Sequence, residues 1–183
     1  MKKLFVVFFI TGFLVLNCAS TGNVDNTEKN PNPEILGELY IEKNAGFSMY
    51  IPINWEIKDM SQKYLMVIGP TEDNFSPNIN FVDEEYSGQI PEYIDAVIEF
   101  LSSFYADFSV IARDSFTTNK NYKGWFITFQ GRINEIEARQ KMFVVHNKLK
   151  TSVLVMTGTA SAASGSKYDK LFDECMKTFN WIK

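Results

Sequence analysis

The chain has 183 residues, of which 45% are hydrophobic, 22% charged and 15% aromatic, with a net charge of −4. That length suits one domain with a sizeable core, and 16 Phe, 8 Tyr and 3 Trp exclude bulk disorder. Ten Gly and six Pro are too few for a collagenous or low-complexity chain, and the acidic balance argues against a nucleic-acid binder, which needs a basic surface.

Residues 1–17 read as a secretory signal peptide. Lys2 and Lys3 give a basic start, and residues 4–16 are apolar except for Thr11 and Gly12. A helix of that length rises about 20 Å at ~1.5 Å per residue, short of a hydrocarbon core of roughly 30 Å. Leu14-Val15-Leu16-Asn17-Cys18 resembles the lipobox of bacterial lipoproteins, with Val15 and Asn17 where that family prefers Leu and a small residue. The resemblance implies that Cys18 becomes the mature N-terminus and carries acyl chains such as palmitate. Each buried methylene contributes ~0.8 kcal/mol, so Cys18 would hold an exported domain at a bacterial membrane, facing the periplasm or the cell surface. Loss of residues 1–17 removes Lys2 and Lys3 and no acid, leaving 16 basic and 22 acidic residues. That balance of −6 disfavours adhesion to anionic lipid, so the expected membrane contact is the lipid on Cys18 alone. Cys175 is then the one remaining thiol. The alternative, a Cys18–Cys175 bridge, would tie a polar tail to a helix.

Residues 18–35 are expected to form the lipidated Cys and a flexible tether, rich in Ser, Thr, Asn and Pro. The folded domain is expected over residues 36–183. Phe47, Met49 and Ile51 alternate with Ser48 and Tyr50, which predicts a half-buried strand. Trp55-Glu56-Ile57 is expected to continue it past Pro52. Short strands follow at residues 64–68 and 79–82. Pro91 suits a first helical turn, and Ile94, Val97, Ile98, Leu101, Phe104, Tyr105 and Phe108 recur at helical spacing, predicting an amphipathic helix. Residues 110–116 read as an outer strand. Three strands follow at 125–130, 138–146 and 152–157, joined by a loose turn over 131–135 and a tight one at Asn147-Lys148. Their two faces are both apolar, so the sheet needs cover on both sides. Residues 158–166 read as a small-residue loop. Ser166, with Asp169 three residues on, is expected to cap a last helix whose apolar face is Tyr168, Leu171, Phe172, Cys175, Met176 and Phe179. The fold class is α+β: a three-layer α/β/α sandwich with a central antiparallel sheet and two main helices.

Gly46-Phe47-Ser48-Met49-Tyr50-Ile51-Pro52-Ile53-Asn54-Trp55, the long helix, Gly124-Trp125 and the closing helix ending near Phe179 and Trp181 together resemble the PsbP/Mog-type fold, in its bacterial DcrB-like lipoprotein branch. The resemblance covers roughly residues 38–183. It implies a PsbP-like sandwich and a non-enzymatic habit of binding partners or supporting assembly.

Chemistry-bearing constellations are scarce, so no catalytic residue, metal site or cofactor is expected. His146 is the one histidine and no G-x-S-x-G or H-E-x-x-H motif surrounds it, which reads as a surface turn. Asp83-Glu84-Glu85 lacks calcium-loop spacing and reads as a solvated edge. Glu135 and Glu137 flank a turn, and residues 158–166 lack the order of a phosphate loop. No cation near Cys175 would stabilise a thiolate, so it reads as a buried structural thiol. Trp55 and Trp125 are candidates either for core or for a pocket or partner surface. The leading expectation is a monomeric, lipid-anchored envelope protein that binds an unknown protein partner or supports assembly, without catalysis. The alternatives are a small-ligand binder with a pocket between helix and sheet, and a hydrolase with an unrecognised site.

Overall fold

A computed structural model describes residues 30–60, 64–147 and 151–182. The signal peptide, Cys18 and the tether up to residue 29 lie outside the described residues, as does Lys148 of the expected tight turn. Within the stretch assigned to the tether, Asn30 is anchored: its Nδ2 donates to the carbonyls of Leu36 at 2.7 Å and Gly37 at 3.0 Å. The chain thus turns into the domain before Ile35.

Among the described residues ten strands and two helices follow in the order β1 Leu36–Glu42, β2 Phe47–Pro52, β3 Glu56–Met60, β4 Tyr64–Ile68, β5 Asn78–Glu85, α1 Ile90–Phe104, β6 Ala106–Thr117, β7 Lys123–Ile133, β8 Ile136–Asn147, β9 Ser152–Ser161, α2 Gly165–Lys177 and β10 Asn180–Trp181. Seven strands form an antiparallel sheet in the order β3-β4-β5-β9-β8-β7-β6, and β1-β2-β10 form a second, small sheet.

Alternation along β8 and β9 organises the molecule. Phe143, Val145, Leu154 and Met156 enter one core with Phe172, Cys175, Met176 and Phe179. Met142, Val144, Val153 and Val155 enter another with Ile94, Val97 and Leu101 of α1. The large sheet is therefore covered on both faces, as its doubly apolar strands require. The cover differs between faces: α1 stands alone on one, whereas α2 shares the other core with β1 and β2 of the small sheet.

Several local expectations are corrected. β2 is buried along its whole length, not half-buried, because it is the central strand of the small sheet and reaches the end of α2. Its Tyr50 N–H donates to Thr178 Oγ1 at 2.9 Å. β3 does not continue β2. Asn54 adopts a left-handed φ of 63°, and the chain turns into the other sheet, where β3 pairs with β4. α1 ends at Phe104, short of Phe108. Tyr105 is already extended, Asp107 has φ 54°, and Phe108 belongs to β6. The aromatic periodicity nonetheless continues in space, since Tyr105 and Phe108 both meet Phe129. The turn between β7 and β8 is tighter than expected, with Asn134 at φ 55° between the paired Ile133 and Ile136.

Residues 158–161 are strand, not loop, for a packing reason. Gly158 lies under the Phe172 ring, where an added Cβ would sit 2.5 Å from Cγ. The small side chains let α2 approach β9. The helix starts at Gly165, with Ser164 in the cap position in place of Ser166. Asp169 serves another purpose: it receives Arg139 of β8, with Nη2 to Oδ2 at 2.5 Å. One turn on, Asp173 receives Lys141, Nζ to Oδ1 at 2.6 Å. Lys141 is buried, and its ammonium also lies 4.6 Å from the centroid of Phe126.

Candidate functional site

Trp55 and Trp125 do not form one site, because they belong to opposite cores. Trp55 is half-buried beside Tyr168 and Phe172, at centroid distances of 6.2 and 6.4 Å. Its indole covers Gly69 closely enough that a Cβ there would meet Cε2 at 2.6 Å. Trp125 lies on the α1 side, and the Arg113 guanidinium sits 5.8 Å from its ring centroid. Arg113 is held in turn by Asp95 at 2.5 Å and by the Pro91 carbonyl at 3.0 Å.

Of Asp83-Glu84-Glu85, Asp83 and Glu85 are exposed, past the end of the β4 pairing at Asn80, as a solvated edge requires, and Glu84 is the exception. Among the described residues β5 pairs there with β9 alone, and Glu84 is half-buried on the α1 side of the strand. The buried Tyr93 hydroxyl donates to the Glu84 carboxylate, while burial raises that carboxyl above its usual range. Burial likewise drives the Tyr93 phenol upward, reinforced by the Glu84 charge. A second polar bridge lies at the far end of α1. Tyr105 Oη donates to Gln140 Oε1 at 3.1 Å, and Gln140 Nε2 donates to Thr159 Oγ1 at 3.1 Å. Burial pushes the Tyr105 phenol up to about 12. These bridges fasten α1 at both ends to strands on one side of it.

Other sequence candidates are separate. His146 is exposed near the end of β8, and Glu135 and Glu137 are exposed at the β7–β8 turn. Cys175 is a free, fully buried thiol, and desolvation raises its pKa strongly. Among the described residues no group of three or more His, Cys, Asp or Glu could hold a metal ion. A recess of about 30 Å³ is lined by Glu42, Ala45, Phe47, Phe81, Val82, Asp83 and Leu154. It lies between β2 and β5, not between a helix and the sheet, and has room for about one water. It lends no weight to a small-ligand reading. Cys18 lies outside the described residues, and no described helix is long and apolar enough to cross a membrane.

The surface that stands out was not a sequence candidate. Phe104, expected in the buried stripe of α1, is 54% exposed, and Phe100 is 36% exposed. Their rings stack at 6.1 Å and 11°. Apart from this pair, edge strand β6 exposes Val110 and Ile111, with a register irregularity between Val110 and Ala112. The sequence signal was available for Phe100, which falls off the 94-97-101 series of buried positions. Phe104 follows Leu101 by three residues and carries no such mark.

No protein-family model matches the chain, and no curated protein is similar to it in sequence. Solved structures do match in shape, and they define the class as the PsbP/Mog1-type α+β fold. The Ran-binding protein Mog1p of Saccharomyces cerevisiae superposes with a TM-score of 0.62 at 8% identity, over 81% of this chain and 97% of its own. The cyanobacterial PsbP (CyanoP) of Synechocystis sp. PCC 6803 gives 0.61 at 11% identity, over 87% and 98%. LpqN, involved in cell envelope biogenesis of Mycobacterium tuberculosis, gives 0.58 at 12% identity, over 75% and 83%. At such identities the likeness is one of fold.

Proposed function

We propose that this chain is a lipid-anchored protein of the bacterial cell envelope that binds a protein partner or supports assembly, without catalysis of its own. The observation that carries the reading is the N-terminal segment. Lys2-Lys3, the apolar run and Cys18 precede a domain whose other thiol, Cys175, is sealed in the core. Acylation at Cys18 would leave that core untouched. The fold supports the rest of the reading, being shared with an envelope-biogenesis protein and with a Ran-binding protein. The exposed Phe100–Phe104 pair supplies a surface of the kind partners use. Growth of expressing bacteria with radioactive palmitate tests the anchor. Label is expected on the wild type and lost in Cys18→Ala. An unlabelled wild type would overturn the reading.

A further inference from the structure

α1 carries Glu92, Asp95 and Glu99 and no basic residue. Asp95 is engaged by Arg113, which marks the side of the helix toward β6. Tyr93, bonded to Glu84, marks the opposite side, toward β5. At 3.6 residues per turn the row Glu92, Ala96, Phe100, Phe104 slants by about 40° per step, from the outer crest, where exposed Glu92 and Glu99 stand, to the β5-facing shoulder, where Phe100 and Phe104 stand. The helix therefore presents carboxylates at its N-terminal end and middle and a stacked aromatic pair at its C-terminal end.

We propose that this ridge docks a basic amphipathic helical segment of another protein, with Lys or Arg side chains against Glu92 and Glu99 and apolar side chains on Phe100 and Phe104. This rests on the partner-binding reading above and names the chemistry of the partner. Charge selects the occupant. A second copy packed face to face across this ridge would bring no Lys or Arg on α1 to meet Glu92 and Glu99, only further carboxylates and Phe rings. An anionic bilayer would repel the same carboxylates. A basic segment is attracted, associates faster at low salt, and offers cations to the faces of the two Phe rings.

The test uses the purified full-length protein and two synthetic amphipathic helices with the same Leu positions, one with Lys and one with Glu on the polar face. Fluorescence anisotropy is expected to show the Lys peptide binding at least about tenfold more tightly. Glu92→Lys/Glu99→Lys and Phe100→Ser/Phe104→Ser should each weaken it by about tenfold with melting temperatures unchanged. Glu38→Lys/Glu135→Lys makes the same charge change on exposed acids elsewhere and should leave binding within about twofold. Equal binding of both peptides, or an equal loss in the Glu38/Glu135 variant, would overturn the proposal. So would a wild-type dimer in ultracentrifugation that the Phe100/Phe104 variant dissolves, since the occupant would then be a second copy. The palmitate experiment is independent: an unlabelled wild type would fail the envelope reading while leaving this titration to stand or fall alone.

Discussion

Glu84 stands half-withdrawn from water, accepting from Tyr93 and raised by burial. A carboxyl whose folded pKa lies above its unfolded value binds more protons when folded, so its contribution to stability falls as pH rises through that window. Compared with Glu84→Gln, the wild type should therefore gain stability as pH drops from neutral toward the unfolded value of 4.5. Urea melts of both proteins across that range check this, and a pH-independent difference would mean that the carboxylate is solvated. Gly158 is a steric counterpart. Its Cβ would meet Cγ, Cδ1 and Cδ2 of Phe172 at 2.5–2.6 Å. Gly158→Ala should cost ~1–3 kcal/mol, as overpacking does, measurable as a lower denaturation midpoint. Neither role is written in residue type alone. Glu84 sits in an acidic run that reads as solvated, and Gly158 in a stretch that reads as a loop, until pairing with β9 and the approach of α2 assign their neighbours.

At the scale of elements, α2 is fastened to β8 by a matched pair of contacts. Asp169 and Asp173, one turn apart, receive Arg139 and Lys141, two residues apart on one face of a strand. A helical step of four residues rises about 6 Å and a strand step of two about 6.6 Å, so the two ladders stay in register. The energetics are asymmetric. Lys141→Met keeps the stem among Phe126 and Phe143 and removes a charge that is costly to desolvate, so it should stay within ~1 kcal/mol of wild type. Asp173→Ala leaves the ammonium buried without its carboxylate and should destabilise clearly more, though Asp173 is itself partly open to water. Chemical denaturation of the two variants checks the order, and Lys141→Met as the more damaging change would contradict it. The apolar face of α2 was legible from its helical spacing, whereas its start was not. Ser166 and Asp169 fit a capping pattern, yet Asp169 is drawn to Arg139, thirty residues away in sequence.

The whole molecule is two cores built on the two faces of one sheet. β7, β8 and β9 are long, joined through the central β8 and shared by both cores, so neither helix layer can leave without exposing strands that the other still needs. One cooperative transition is expected. Leu101→Ala on the α1 side should cost ~2–5 kcal/mol and Phe172→Ala on the α2 side ~3–5 kcal/mol, with the double variant close to their sum because the sites do not touch. Far-ultraviolet circular dichroism and tryptophan fluorescence should follow the same melt in every variant. Separate transitions by the two probes would show that the layers are independent units.

The sequence alone determined the α+β class, most of the strands, both helices, and the demand for cover on both sides of the sheet. Those features rest on local periodicity: apolar residues at steps of two on both faces of β8 and β9, and at steps of three and four in α1 and α2, report burial without knowledge of the partner. Tertiary structure decided the rest. β1 and β10 are too weakly patterned to read as strands, and they exist because β2 lies between them. Phe104 looked like core and is 54% exposed, because α1 stops there and its ring packs on Phe100 and Tyr105 and not within the α1 core. Trp55 and Trp125 looked alike as candidates and fell into opposite cores, because Trp125 pairs with Val144 on the α1 face of the sheet whereas Trp55 packs on Phe172 of α2. Which apolar residue ends up exposed depends on where an element stops and what approaches it, and those are long-range distances that spacing along the chain does not encode.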